Sequence, residues 1–136
     1  MFKLTFVTPD RKLVVNEELE SITLPAFKGE LNILPGHAPL MTTLEAGIAR
    51  YKLKNGTSDK LAISWGYCQI SSEGVNVLAE SAVHSDEIDI EVIKQHLKRD
   101  EQRLIAESLD DQEWLKVQND TARLRAEINL YKENTK

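Results

Sequence analysis

The stretch Gly74-Val75-Asn76-Val77-Leu78-Ala79-Glu80-Ser81-Ala82-Val83-His84-Ser85-Asp86-Glu87-Ile88-Asp89-Ile90-Glu91-Val92-Ile93-Lys94-Gln95-His96-Leu97 changes its hydrophobic period near Ser85. Strand side chains alternate every two residues, whereas one face of a helix recurs at three and four. The chain is therefore read in two parts, 1–84 as strands and 85–136 as helices.

Upstream, an alternating pair of strands spans roughly Tyr67 to Ala82 and turns at Ser72-Glu73-Gly74. Leu61, Ile63 and Trp65 share one face of the run before it, and Ala49, Tyr51 and Leu53 alternate with Arg50 and Lys52. Asn55-Gly56 between those runs predicts a hairpin with a type I′ turn, which needs positive φ angles. Leu31 and Ile33 flank Asn32, and Ile22 and Leu24 alternate with Ser21 and Thr23. Phe2, Leu4 and Phe6 alternate with Lys3 and Thr5 as far as a turn at Pro9-Asp10. Many short strands at this spacing predict a sandwich or barrel.

Downstream of Asp86 there is neither Pro nor Gly, and Glu, Lys, Arg, Leu, Ile and Ala tolerate or favour helix. Two helices are expected, broken near Ser108 to Asp110, where Asp110 and Glu113 have the spacing of a capping box. Asp86, Glu87, Asp89 and Glu91 open the first helix and Lys98, Arg99 and Arg103 lie toward its far end, a polarity that suits the helix dipole. Trp114, Val117, Thr121, Leu124, Ile128 and Tyr131 draw one seam along the second helix. Ile90, Ile93, Leu97 and Leu104 give the first a matching stripe, interrupted at Asp100, so the short connection folds the pair antiparallel.

With 136 residues and 41% hydrophobic content the chain has the makings of a folded domain with an appendage. A net charge of −5 supplies no global positive field for a polyanion, so no nucleic-acid partner is expected. The single cysteine, Cys68, cannot form an internal disulfide, and no run of eighteen apolar residues occurs. A reducing aqueous compartment is expected, with membrane association only through partners. Strand-like sequence from Phe2 leaves no room for a presequence, which favours a bacterial or organelle-encoded protein.

No phosphate-cradling glycine motif and no Gly-x-Ser-x-Gly elbow occurs, and His37, His84 and His96 are widely separated with no metal-ligand spacing. The expectation is a chain with no catalytic residue, metal or cofactor of its own. Cys68, in an alternating strand, reads as a small buried hydrophobe, and Trp65 and Trp114 read as core and seam residues.

One segment is unlike generic sandwich sequence: Gly29-Glu30-Leu31-Asn32-Ile33-Leu34-Pro35-Gly36-His37-Ala38-Pro39-Leu40. Its prolines and glycines fix turns. Local physics favours a rigid corner in which His37 hydrogen-bonds nearby; the other reading is an exposed docking platform with Glu30 and His37 as polar contacts.

This block, followed by Thr42 and Gly47, then Trp65-Gly66-Tyr67 and Val77-Leu78-Ala79 in order, closely resembles the epsilon chain family of F-type ATP synthases, and the resemblance covers essentially the whole chain. It implies a flattened β-sandwich of about ten strands followed by two antiparallel helices, a non-catalytic piece of a proton-translocating rotary motor. It further implies that 1–84 binds the gamma subunit and the c-subunit ring in the central stalk, with Glu30 and His37 contacting the ring and Pro35 and Gly36 shaping the turn. The implied location is peripheral, on the inner cytoplasmic face of a bacterial plasma membrane; a plastid thylakoid location stays open.

For residues 85–136 the resemblance implies a regulatory hairpin that lies folded on the sandwich or extends along gamma into the head formed by the alpha and beta subunits. There it restrains ATP hydrolysis while leaving proton-driven synthesis coupled. Lys98, Arg99, Arg103, Arg123 and Arg125 are the residues implied to face an acidic segment of the catalytic beta subunit. An alternative is an ATP-sensing module, because some members bind ATP between the helices through an Ile/Leu-Asp-x-x-Arg-Ala pattern. This chain keeps Ile88 and Asp89 but carries Val92 and Ile93 where Arg and Ala would stand, so nucleotide binding is not carried over and Asp89 reads as a helix-opening acid.

Overall fold

In a computed structural model, which describes residues 2–106 and 108–134, nine strands precede two helices. The strands are β1 (Lys3–Val7), β2 (Lys12–Ala26), β3 (Gly29–Ile33), β4 (Leu40–Leu44), β5 (Gly47–Leu53), β6 (Ser58–Ile63), β7 (Gly66–Ser71), β8 (Gly74–Ala79) and β9 (Ala82–Val83). A 3-10 turn at Ser85–Glu87 leads to α1 (Ile90–Ala106) and α2 (Asp111–Asn134).

Two layers are made from one ladder because β2 serves both. Its first half pairs with β1, and its second half pairs with β5 and β3. One layer runs from β2 through β1, β8 and β7 to β4, and the other runs β3, β2, β5, β6, β9. Asn16, at φ 57°, and register shifts along β2 mark where the strand bends from one layer into the next. The strand expectation of about ten is met by nine continuous strands, the longest of which does the work of two.

Alternation decides the interior. Leu4, Phe6, Ile22, Leu24, Leu61, Ile63, Ile70 and Val75 are among the fully buried side chains of one cluster. Gly74 closes it: Lys3 donates to the Glu73 carbonyl at 2.9 Å, and a Cβ on Gly74 would collide with the Lys3 carbonyl oxygen. Cys68 is fully buried, and burial pushes its thiol up to about 11, so it packs as a hydrophobe.

Two local expectations are corrected. The Asn55-Gly56 hairpin is a three-residue loop rather than a type I′ turn: Gly56 donates to Leu53, Leu53 donates to Thr57, and only Gly56 of the pair has positive φ, 95°. That is a type I turn closed by a left-handed glycine, with the Asn55 side chain accepting from the Thr57 amide at 2.8 Å. Trp65 is not a core residue, and Trp114 is not a buried member of the helix seam. Trp65 lies beyond the end of β6 and is 56% exposed, and Trp114, in the first turn of α2, is 45% exposed.

Both helices start as their acids dictate. Asp89 Oδ1 accepts from Val92 at 3.4 Å, and Asp110 Oδ1 accepts from the Glu113 amide at 2.8 Å. Glu87 does not join α1; it turns back to the His84 amide at 2.8 Å and forms a bidentate pair with Arg11 at 2.7 and 3.2 Å. These partners, Arg11 first, hold its carboxyl below the usual range.

α2 uses two faces. Val117, Thr121, Leu124 and Ile128 are buried along the expected seam, and Tyr131 is half-buried. The second face meets the outer side of the β5–β6–β9 layer, where Ile48, Ala62 and Val83 lie in register and receive Ala126 and Leu130. One row along, Arg50 and Lys60 are register partners and both meet Glu133.

Candidate functional site

Proline and glycine shape the block that stood out in the sequence. Leu34 to His37 form a turn in which the His37 amide donates to the Leu34 carbonyl at 3.1 Å. Pro35 supplies the fixed φ of the second position and Gly36, at φ 89°, the left-handed third, which is a type II turn. Nothing lies within 4 Å of where a Gly36 Cβ would stand, so the glycine is needed for its backbone and not for space. His37 Nδ1 donates to the Ala38 carbonyl at 2.7 Å, which orients the ring and leaves Nε2 available.

The turn and Glu30 are separate features. Glu30 is exposed on β3 opposite Pro25 and faces a groove of about 470 Å³ lined also by Gly47, Arg50 and Arg125. His37 lies past the other end of β3. Among the described residues no hydrogen bond or ion pair joins them.

The five basic helix residues are dispersed in the same way. Lys98 and Arg99 are exposed on α1. Arg123 is occupied, with Nη2 2.6 Å and Nε 3.3 Å from Asp120 and Nη1 3.2 Å from Glu127. Arg125 lies 3.7 Å from Glu101 across the hairpin, and Arg103 is half-buried and also engaged. Of the remnant nucleotide pattern, Ile88 packs against the Ala62–Ala126–Leu130 cluster and Asp89 caps α1.

Two arrangements escaped the sequence. One is a bidentate clasp, Arg50 to Glu133 at 3.0 and 2.7 Å, joining β5 to the last turns of α2. Its members lie 83 positions apart, so no local pattern could show it. The other is an apolar outer sheet face. Tyr67 (47% exposed) is the register partner of Thr43, Met41 (63%) stands two residues along β4, and Phe27 (66%) donates its amide to the Thr43 carbonyl at 3.2 Å. Alternation in β4 and β7 is legible, but which side stays uncovered depends on where α2 docks. No group of three or more His, Cys, Asp or Glu among the described residues could hold a metal, and no helix among them is long and apolar enough to cross a membrane.

Comparison with known proteins places this geometry in a family. Residues 1–85 match the family described as ATP synthase, Delta/Epsilon chain, beta-sandwich domain. The chain is 51% identical over 127 residues to the ATP synthase epsilon chain of Bdellovibrio bacteriovorus, covering 93% of this chain and 91% of that one. It is 41% identical over 112 residues to that of Geobacter sp. strain M21, covering 82% and 80%. In fold it is similar to a chain in the cryo-EM structure of the Euglena gracilis mitochondrial ATP synthase, OSCP/F1/c-ring in rotational state 1, with TM-score 0.78, 23% identity, and 92% and 78% of the two chains covered. It is similar also to one in the Tetrahymena thermophila mitochondrial ATP synthase central stalk and c ring, with TM-score 0.63, 10% identity and 96% of each chain covered.

Proposed function

The chain belongs to the ATP synthase epsilon chain family, and from that premise we propose that it is a non-catalytic subunit of the central rotor stalk. In this role residues 1–84 join the gamma subunit to the c-subunit ring, and residues 85–136 restrain hydrolysis at the alpha and beta subunits. The complex would hold it at the inner face of a proton-coupling membrane. The observation that carries the reading is the 51% identity to an epsilon chain across nearly the full length of both.

The Leu34–His37 turn suits the ring contact. A type II turn with proline and glycine at its centre is already ordered before a partner arrives, so docking loses little backbone entropy. His37 then offers Nε2 from an oriented ring, and the exposed carboxylate of Glu30 offers acceptors to amides or basic groups on a neighbouring loop. Because Glu30 and His37 stand at opposite ends of β3, they would meet different parts of that partner.

The hairpin described here is docked on the sandwich. In this state Arg125 is engaged by Glu101 of α1, a pair that an extended hairpin would break and exchange for acids of the beta subunit, whereas the pairs of Arg123 with Asp120 and Glu127 lie within α2 and would travel with it. Lys98 and Arg99 are exposed already. The helices of 17 and 24 residues would span about 25 and about 36 Å, enough to carry these groups far from the sandwich without unfolding it.

The test is assembly of the synthase with the chain ending after His84. Assembly and proton-coupled synthesis should persist while ATP hydrolysis rises several-fold. Loss of assembly would refute the division of labour, and unchanged hydrolysis would refute the brake.

A further inference from the structure

Among the described residues α1 has one buried side chain, and it is an acid, Asp100. Ile93, Leu97, position 100 and Leu104 recur at steps of four, three and four, so a carboxylate stands where the packing stripe calls for a hydrophobe. Asp100 is 8% exposed, and its Oδ2 has no hydrogen-bond donor among the described residues. The carboxylate it interacts with across the helix interface is Asp120 of α2. Two ionised carboxylates so placed repel in poorly solvated surroundings, and neither has a hydrogen to give. A single proton held between them turns the same contact into a short, charge-assisted hydrogen bond.

We propose that Asp100 and Asp120 form a one-proton binding site at the centre of the hairpin, so that α1 closes on α2 with uptake of a proton and opens from it with its release. The surroundings decide which carboxyl holds it. Arg123 grips Asp120 through two nitrogens and reaches on to Glu127, which keeps Asp120 ionised and leaves the proton to Asp100. On α1 the charged or titratable neighbours are His96, Arg99 and Arg103; on α2 they are Lys116, Arg123 and Glu127; from the sandwich Glu80 approaches the same groove. Arg103 and Arg99 act against protonation but do not overcome burial and the facing acid.

The direction of the pH response follows from linkage. Burial first, then the hydrogen bond with Asp120 and its charge, push the Asp100 carboxyl from 3.8 up to about 6. Asp120, despite burial, is held below its usual range by its hydrogen bonds with Asp100 and Arg123. A group whose affinity for a proton is higher in the closed form stabilises that form fully below its open-state value, and the stabilisation is lost as pH rises through the closed-state value. Closure is thus favoured on acidification across roughly pH 4 to 6, by more than about tenfold in the closing equilibrium, because proton affinities that differ by a pH interval of this width are linked to closure at a factor of ten per pH unit. Glu127, pushed up by burial, adds in the same sense. The regulatory meaning rests on the hairpin acting as proposed above: acid would keep the two helices paired in the folded hairpin, and neutral or alkaline conditions would favour their separation.

Hydrogen–deuterium exchange on the isolated full-length chain tests this without any partner. Protection factors, corrected for intrinsic exchange at each pH, are followed for amides of α1 and for the core strands between about pH 5 and about pH 8. In the native chain α1 protection should fall at least about tenfold as pH rises, while that of β5, β6 and β7 stays level. Asp100→Asn supplies a permanent donor to Asp120, so α1 protection should stay high and lose most of its slope, Glu127 supplying what remains. Asp120→Asn, donating in the other direction, should raise α1 protection at the high-pH end and lessen the slope without abolishing it, because burial still acts on Asp100, and it decides the matter should the first variant not fold. A flat native profile, or a variant that keeps the native slope, overturns the proposal. Since no synthase is needed, such a failure leaves the rotor assignment standing, and failure of the truncation experiment leaves the proton site standing.

Discussion

Inside the sandwich, Leu4, Phe6, Leu19, Ile22, Leu24, Ile33, Leu61 and Ile63 are all within 1% of full burial and belong to one cluster fed by both layers. Beneath α2 the corresponding cluster is Ala62, Ala126 and Leu130, fringed by Ile48, Val83 and Ile88 and bordered by charge pairs. Apolar burial stabilises by about 25 cal/mol per Å² removed from water, so the sandwich interior carries the fold while the docking face carries only a small share. The lesson is one of rank. A face made of two alanines and a leucine can be uncovered at modest cost, and uncovering it leaves the larger core untouched.

The comparison is broken most directly from its strong side. Phe6→Ala removes a fully buried ring from between the layers and should cost about 3–5 kcal/mol, unfolding much of the population in mild urea. Urea melts followed by the signals of both regions should lose sandwich and hairpin together, because α2 has no surface to dock on once β5 and β6 are gone. Survival of a docked hairpin after loss of the sandwich would reverse the ranking.

Leu130→Ala attacks the weak side. The lost contact should be worth about 2–3 kcal/mol, near the lower end for a buried leucine, yet its effect should stop at the interface. Amide exchange should rise through α1 and α2 and remain native in the strands. An equal rise in both would mean that the two clusters form a single cooperative unit. On the proposed function, weaker docking would free the hairpin to reach the head in assembled synthase, and the same variant should then lower hydrolysis.

Gly36→Val probes the sandwich rim instead of its core. The cost should be about 1–2 kcal/mol, arising from the left-handed φ alone because the space around the missing Cβ is empty. The chain should fold, keep its hairpin docked and lose affinity for the c ring, measured by co-sedimentation with ring-containing vesicles. Unaltered ring binding would remove the turn from the contact.

Much of the sandwich was legible because alternation is local: Leu4 and Phe6, Ile22 and Leu24, Leu61 and Ile63 each declare their inward face within one strand. The two-layer sharing of β2 was not, since its bend is set by pairing with β1 and β5 and not by a residue pattern that a single strand displays. In the hairpin the seam from Val117 to Ile128 was legible by its period, and even the interruption at Asp100 was visible. What that interruption faces was not, because Asp120 lies on another helix and its partner is named only by the register of the fold. The second face of α2 was missed for a different reason: Ala126 and Leu130 are flanked by Arg125, Glu127 and Asn129, so the apolar signal is weak. The candidate ring contacts Glu30 and His37 stand out as residue types, but the distance that β3 puts between them is a property of the strand.

The smallest expected effect concerns the clasp between the two regions. Arg50 and Glu133 form a bidentate pair, but both side chains are about a third exposed, so solvent screens much of their attraction and Arg50→Gln should loosen the hairpin by only about 0.5–1 kcal/mol. Lys60, 3.9 Å from the same carboxylate, keeps part of the interaction. The signature is therefore less its size than its salt dependence: exchange at the end of α2 in the native chain should quicken between about 0.05 and about 0.5 M salt, and the variant should respond less. A double-mutant cycle with Glu133→Gln isolates the pair from the contacts that each residue makes alone. If Arg50→Gln instead loosened the strands of β5 and β6 as much as the helix, the clasp would belong to the sandwich, and the boundary between a durable core and a releasable hairpin would have to be drawn on the far side of α2.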